Sequence, residues 1–324
     1  MSRVLVTGAF GQIGSELSLA LAERHGGDAL LLCGRRLPRA THACADLPAC
    51  QLDVTDREAL RALVTSHRTE VVYHLAARLS AIGEQSPEQT WTVNIDGLRN
   101  VLSVALECGV RQVFWPSSIA VFGPDTPRTD VPQDTVMRPT TMYGVTKVAG
   151  ELLADYYHGR HGLDVRGVRY PGVISSAAPP GGGTTDYAVE MFHAALSEQP
   201  YSCFVREDTV LPMIYMPDCI RAALELMAAD PARLRHRNAF NLAAMSFSAG
   251  ELAAEIRRHV PGFVCRFEPD QRQRIADSWP RSIDDRDARR EWGWQPRFGL
   301  AEMVRSMLDA LRARRNQTGS AARS

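Results

Sequence analysis

Apolar residues in this chain follow two alternating rhythms. Short, nearly continuous apolar runs occur at RVLVTG (Arg3 to Gly8), ALLLC (Ala29 to Cys33), VVYHLAA (Val71 to Ala77), QVFWPSS (Gln112 to Ser118) and VRGVRYPGVI (Val165 to Ile174). Runs of this length predict strands buried on both faces. Between them, GQIGSELSLALAERHG, REALRALVTSH, WTVNIDGLRNVLSVALECG and VAGELLADYYHG carry apolar residues at helical spacing. Such alternation predicts an α/β fold, a doubly wound parallel sheet with helices on both faces and ligands at its carboxyl edge. After Ile174 the rhythm breaks into SSAAPPGGGTTDYAVEMFHAAL, a Pro- and Gly-rich loop leading into a helix. Residues 1–174 therefore read as the main domain, with returns from about 212–245; 175–315 read mainly as a smaller C-terminal lobe, and the polar stretch 316–324 as a disordered tail.

Composition narrows the partners. The 324 residues are 45% hydrophobic, and 37 basic side chains balance 37 acidic ones. With no net field to attract nucleic acid or an anionic membrane, small molecules are the expected partners. Seven scattered cysteines form no CxxC pair. They fit a reducing cytoplasm, and MSRVLVTG enters a strand directly rather than reading as a signal peptide. No apolar run approaches the roughly 20 residues of a membrane span. None of the nine histidines stands at ligand spacing with another His or a Cys, so no metal site is expected.

Three motifs carry chemistry. TGAFGQIG sets Gly8, Gly11 and Gly14 between a predicted strand and a predicted helix. Glycines there allow a tight turn and bring backbone N–H groups of a helix N-terminus close to a pyrophosphate, so the sheet reads as a Rossmann dinucleotide site. LDVTD offers Asp53 to an adenine amino group, while Thr55 or Asp56 caps the helix that follows. Further on, MYGVTK places Tyr143 and Lys147 one turn apart on a predicted helix, an ammonium beside a phenol. That neighbour is expected to lower the phenol pKa from its ordinary value near ~10.

TGAFGQIG, LDVTD, HLAA, the serines of PSSIAVFG and YGVTK together resemble the extended short-chain dehydrogenase/reductases over nearly the whole chain. RPTTMYGVTK, VRYPGVIS, GGGTTDYAVE and LPMIYMPD narrow the resemblance to the short-chain type of L-threonine 3-dehydrogenase, which oxidises L-threonine to 2-amino-3-ketobutyrate with NAD. The resemblance implies Tyr143 as general base, Lys147 as its electrostatic partner and ribose anchor, and Ser118, with Ser117 as neighbouring candidate, orienting substrate. It implies Ser80, Thr184 and Thr185 at the substrate, where a zwitterion needs both charges satisfied. Tyr187 and Trp279 are candidates for the pocket wall. The implied cofactor shell is Gly8, Gly11, Gln12, Ile13, Gly14, Asp53, Val54, Leu75, Ala76, Ala77, Lys147 and Tyr170. A homodimer, paired through the Tyr143 helix and the WTVNIDGLRNVLSVALE helix, is also implied.

One stretch departs from the pattern. Where the second strand ends, NAD-binding members carry an acid for the adenosine ribose; here LLLCGRR puts Gly34 at that place, followed by Arg35 and Arg36. NAD is the expected cofactor, and the arginines leave NADP open. A nucleotide-sugar epimerase or dehydratase of the same superfamily, and a non-catalytic dinucleotide sensor, are the alternatives. The GTTDYA loop argues against the first and the joint presence of Ser118, Tyr143 and Lys147 against the second.

Overall fold

The structure, a computed structural model, describes residues 2–177 and 181–321, with backbone only for residue 81 and residues 317–321. Six parallel strands form the central sheet: β1 (Val4–Thr7), β2 (Leu30–Gly34), β3 (Ala49–Gln51), β4 (Val71–His74), β5 (Gln112–Phe114) and β6 (Asp164–Arg166). Their spatial order is β3-β2-β1-β4-β5-β6, so the chain winds one way from β1 and then the other. β1 pairs with both β2 and β4, Val4 standing opposite Leu30 and Val71. The reversal between β1 and β4 opens a crevice at the carboxyl ends of these strands, the position at which this fold takes ligands. All four residues of β1 are buried, as a central strand with two covered faces requires.

The expected long helix at WTVNIDGLRNVLSVALECG is interrupted. A π-helical turn at Thr92–Asp96 separates Pro87–Trp91 from Gly97–Glu107. The bulge aims Asn94 inward, where its amide accepts from Arg78 N at 2.8 Å and donates to Arg78 O at 3.1 Å and Thr146 Oγ1 at 3.0 Å. This ties the loop after β4 to the helix Met142–His161, two parts of the crevice wall.

Beyond the sheet, the chain crosses repeatedly between two cores. Strand Ser117–Ser118 pairs with Val168–Tyr170, which pairs with Phe240–Asn241. Strand Val210–Tyr215 runs parallel to Gly172–Ile174 and antiparallel to Met245–Ser248. Helix Met216–Ala228 packs on helix Gln12–His25, and Leu17, Leu21, Ile214, Ala222, Leu226 and Trp294 share one core with β1. The EWGWQP stretch is thus built into the main domain from far down the chain. The second core gathers Phe192, Phe204, Leu211, Leu252, Met303 and Leu308. Its last helix, Leu300–Ala321, continues beyond residue 316, where composition predicts disorder; residues 322–324 lie outside the described residues. Among the described residues, no helix is long and apolar enough to cross a membrane.

Candidate active site

The glycine turn is dictated by backbone crowding. Gly8 has φ +68°, and a Cβ there would stand 2.6 Å from Ala76 N; a Cβ on Gly14 would stand 2.2 Å from Gly8 O. No side chain fits at either place. Gly11 then caps helix Gln12–His25 with no side-chain hydrogen bond, and the first turn holds no acid. The helix therefore presents uncapped N–H groups and a positive dipole end to a cavity lined by Gly8, Gly11, Gln12, Ile13 and Gly14. This donor set fits a dinucleotide pyrophosphate.

Next to it, Asp53, Val54, Leu75, Ala76 and Ala77 line an adjoining cavity with Phe10, Gly34, Arg35 and Arg36. Asp53 Oδ1 accepts from Thr55 N at 3.0 Å and Thr55 Oγ1 at 2.7 Å; the backbone bond chiefly, with Arg35 nearby, holds its carboxyl below the usual range. The helix cap is Asp56, which accepts from Ala59 N at 3.0 Å.

Ser118, Tyr143 and Lys147 converge on the first cavity. Thr141 starts the helix by accepting from Gly144 N, so Tyr143 and Lys147 follow in its first two turns on one face. Lys147 is buried; its Nζ donates to Pro116 O at 2.7 Å and lies 4.5 Å from the Trp115 ring centre and 5.5 Å from that of Tyr143. Burial pulls its pKa down to about 7, opposed by the carboxylate of Glu151.

The phenol behaves contrary to expectation. Tyr143 keeps some surface open to the cavity, but burial pushes its pKa up to about 12, and the opposing influence is a hydrogen bond with the Ser118 side chain, not Lys147. Desolvation of a phenolate outweighs a neighbour whose ammonium is itself desolvated and turned to a carbonyl.

The two serines separate in role. Successive strand residues face opposite ways. Ser118 meets Tyr143, while the Ser117 hydroxyl donates to Glu151 Oε1 at 2.5 Å, inside a buried ion pair of Glu151 with Arg169. Ser117 lines the cavity too, but its hydroxyl is spent on Glu151. Tyr170 likewise spends its hydroxyl on Cys219 O at 2.8 Å and gives the cavity only its ring and backbone.

Ser80, Thr184 and Thr185 line the same cavity, with Ser80 Oγ 3.5 Å from Thr184 Oγ1, and Trp279 forms part of the wall. Tyr187 does not: it is fully buried in the second core, edge-on to Phe204 at 5.8 Å. Its ring lies on the inner face of helix Tyr187–Leu196, a direction that sequence proximity to GGGTT could not reveal. A residue the sequence reading missed is Asp186, whose carboxylate lines the cavity and accepts from Gly182 N at 2.7 Å and Gly183 N at 2.8 Å. An Asp after a glycine run that precedes a helix was the available signal. His236, Asp287 and Glu291 also cluster, but line neither cavity; Glu291 is occupied by the His236 ring and two backbone N–H groups.

A family model described as "NAD dependent epimerase/dehydratase family" matches residues 4–243. The chain belongs to that family. Among its relatives is an uncharacterized epimerase/dehydratase of Staphylococcus haemolyticus, 46% identical over 96% of this chain and 98% of the relative. The mitochondrial L-threonine 3-dehydrogenase of Bos taurus is 46% identical over 95% of this chain and 82% of its own. Among solved structures, the holo form of a GalE-like L-threonine dehydrogenase from Cupriavidus necator superposes on this family member with a TM-score of 0.92 at 53% identity, covering 95% of this chain and 99% of that one. The resemblance read from the motifs is thus matched along nearly the full length.

Proposed function

We propose that this family member is an L-threonine 3-dehydrogenase that oxidises the β-carbon of L-threonine to 2-amino-3-ketobutyrate with NAD. The observation that carries the reading is convergence: Ser118, Tyr143 and Lys147 share one cavity with the glycine turn and with Ser80, Thr184 and Thr185. NAD, when bound, supplies the acceptor for the hydride leaving Cβ and a positive charge in the same cavity. As the phenolate, Tyr143 Oη takes the proton of the β-hydroxyl, and Ser118, whose side chain favours the ionised phenol, holds that hydroxyl in line. Lys147 sits close enough to favour the phenolate once its ammonium is charged. The hydroxyls of Ser80, Thr184 and Thr185 receive the substrate carboxylate. Trp279 and Leu79 keep water from the reacting carbon.

The chain pairs with a second copy in this reading. Val145, Leu152 and Tyr156 leave an apolar row exposed on helix Met142–His161, with Leu106 exposed on Gly97–Glu107; two such faces across a two-fold make a four-helix interface. All seven cysteines are free thiols, in keeping with a reducing cytoplasm.

Reduction of NAD by the purified protein with L-threonine, and none with UDP-glucose or GDP-mannose present, is the expected outcome. Absence of threonine-dependent reduction with either NAD or NADP would return the chain to its epimerase relatives.

A further inference from the structure

We propose that the strand end at Gly34–Arg36 is a binding site for a ribose 2′-phosphate, so that the protein accepts NADP and not NAD alone. The inference rests on the dinucleotide reading above and concerns the edge of that site. In this fold an acid about twenty residues beyond the glycine turn grips the ribose 2′-hydroxyl, and an arginine nearby accommodates a 2′-phosphate instead. Counting from Gly14, the position is Gly34, the last residue of β2.

Two observations remove the acid and supply the cation. A Cβ on Gly34 would lie 2.7 Å from Phe10 Cδ2 and 3.3 Å from Arg36 O, so the Phe10 ring fills the space an acidic side chain would leave through. The end of β2 thus carries no carboxylate of its own. Arg35 and Arg36 both line the same cavity and are exposed, and neither guanidinium enters a hydrogen bond or ion pair among the described residues. Several other arginines of this chain are paired with carboxylates, such as Arg57, Arg61, Arg206, Arg221 and Arg289. The acid facing the same cavity, Asp53, has its Oδ1 held by Thr55, and Arg35 helps to hold its carboxyl ionised. Two adjacent guanidinium groups within ion-pair distance of no carboxylate among the described residues, at a place where the fold meets a ribose, suit a phosphate.

The test is calorimetric binding of cofactor fragments to the whole protein: 5′-AMP, adenosine 2′,5′-bisphosphate and, as a charge control, adenosine 3′,5′-bisphosphate. The 2′,5′ compound should bind about tenfold or more tighter than 5′-AMP, as charge-assisted bidentate contacts give, and the 3′,5′ isomer should gain much less. In an Arg35→Ser, Arg36→Ser variant that advantage should vanish while 5′-AMP binds as before. Equal binding of 2′,5′-bisphosphate and 5′-AMP, an equal gain from the 3′ isomer, or an advantage that survives the double substitution would overturn the site and leave the dinucleotide reading standing. Failure of NAD, NADP and all three fragments to bind would overturn both.

Discussion

Replacing Lys147 by methionine should abolish turnover and at the same time stabilise the fold at neutral and acid pH. The ammonium is buried with a pKa lowered from 10.5 to about 7. At about 1.36 kcal/mol per unit, keeping it charged costs the folded state roughly 5 kcal/mol below pH 7. Methionine removes that cost, but it leaves Pro116 O without its donor, worth about 1–3 kcal/mol, and it loses the contact over Trp115, worth about 1 kcal/mol. The net gain is on the order of 1–3 kcal/mol. Its pH dependence follows from the sign of the shift. Between pH 7 and about 10.5 the unfolded chain binds the Lys147 proton and the folded chain does not, so the native protein gains stability as pH rises through that window. The methionine variant has no such gain. The advantage of the variant should therefore be largest near about pH 6, vanish between about pH 7.5 and 9, and be a net loss near about pH 10, where little but the lost contacts remains. Urea unfolding of both proteins at these pH values, followed by tryptophan fluorescence, reads the difference directly. A variant that is less stable at every pH, or a difference that does not change with pH, would refute the argument that burial dominates at Lys147.

Tyr143→Phe should lower threonine oxidation by about 10²–10⁴-fold, the range of a lost general base, while dinucleotide binding by fluorescence stays unchanged; retained turnover removes Tyr143 from the chemistry. Glu151→Gln keeps an acceptor for Ser117 but removes the charge that pairs the buried Arg169 and should cost about 3–5 kcal/mol of stability, as leaving a buried charge unpaired does, measured by the shift of the unfolding midpoint in urea. Leu152→Glu, on the exposed apolar row, should convert a dimer to a monomer in light scattering behind size exclusion; an unchanged mass argues that this face is not the interface.

Much of the main domain was legible because its parallel strands are buried on both faces and therefore read as unbroken apolar runs, while helices announce themselves by spacing. The glycine turn was legible for a related reason: a Cβ on Gly8 or Gly14 would collide with backbone, so the residue type itself reports the geometry. The Tyr143 and Lys147 pairing follows from helical pitch alone. What the spacing could not convey was environment. Whether Lys147 lowers the Tyr143 pKa depends on what else desolvates the two groups and where Nζ points, and the tertiary structure turns it to Pro116 O and Trp115. The division between Ser117 and Ser118 depends on Glu151 and Arg169 arriving from distant segments. Tyr187 went to the second core because its helix presents that face inward, and Trp294 joined the sheet core from the far end of the chain. Sequence by itself determined the local elements and the chemical types at the site, since these depend on covalent connectivity and short-range sterics. Only the tertiary structure decided orientation and electrostatic sign, because both are set by groups far apart in the chain that burial brings into contact.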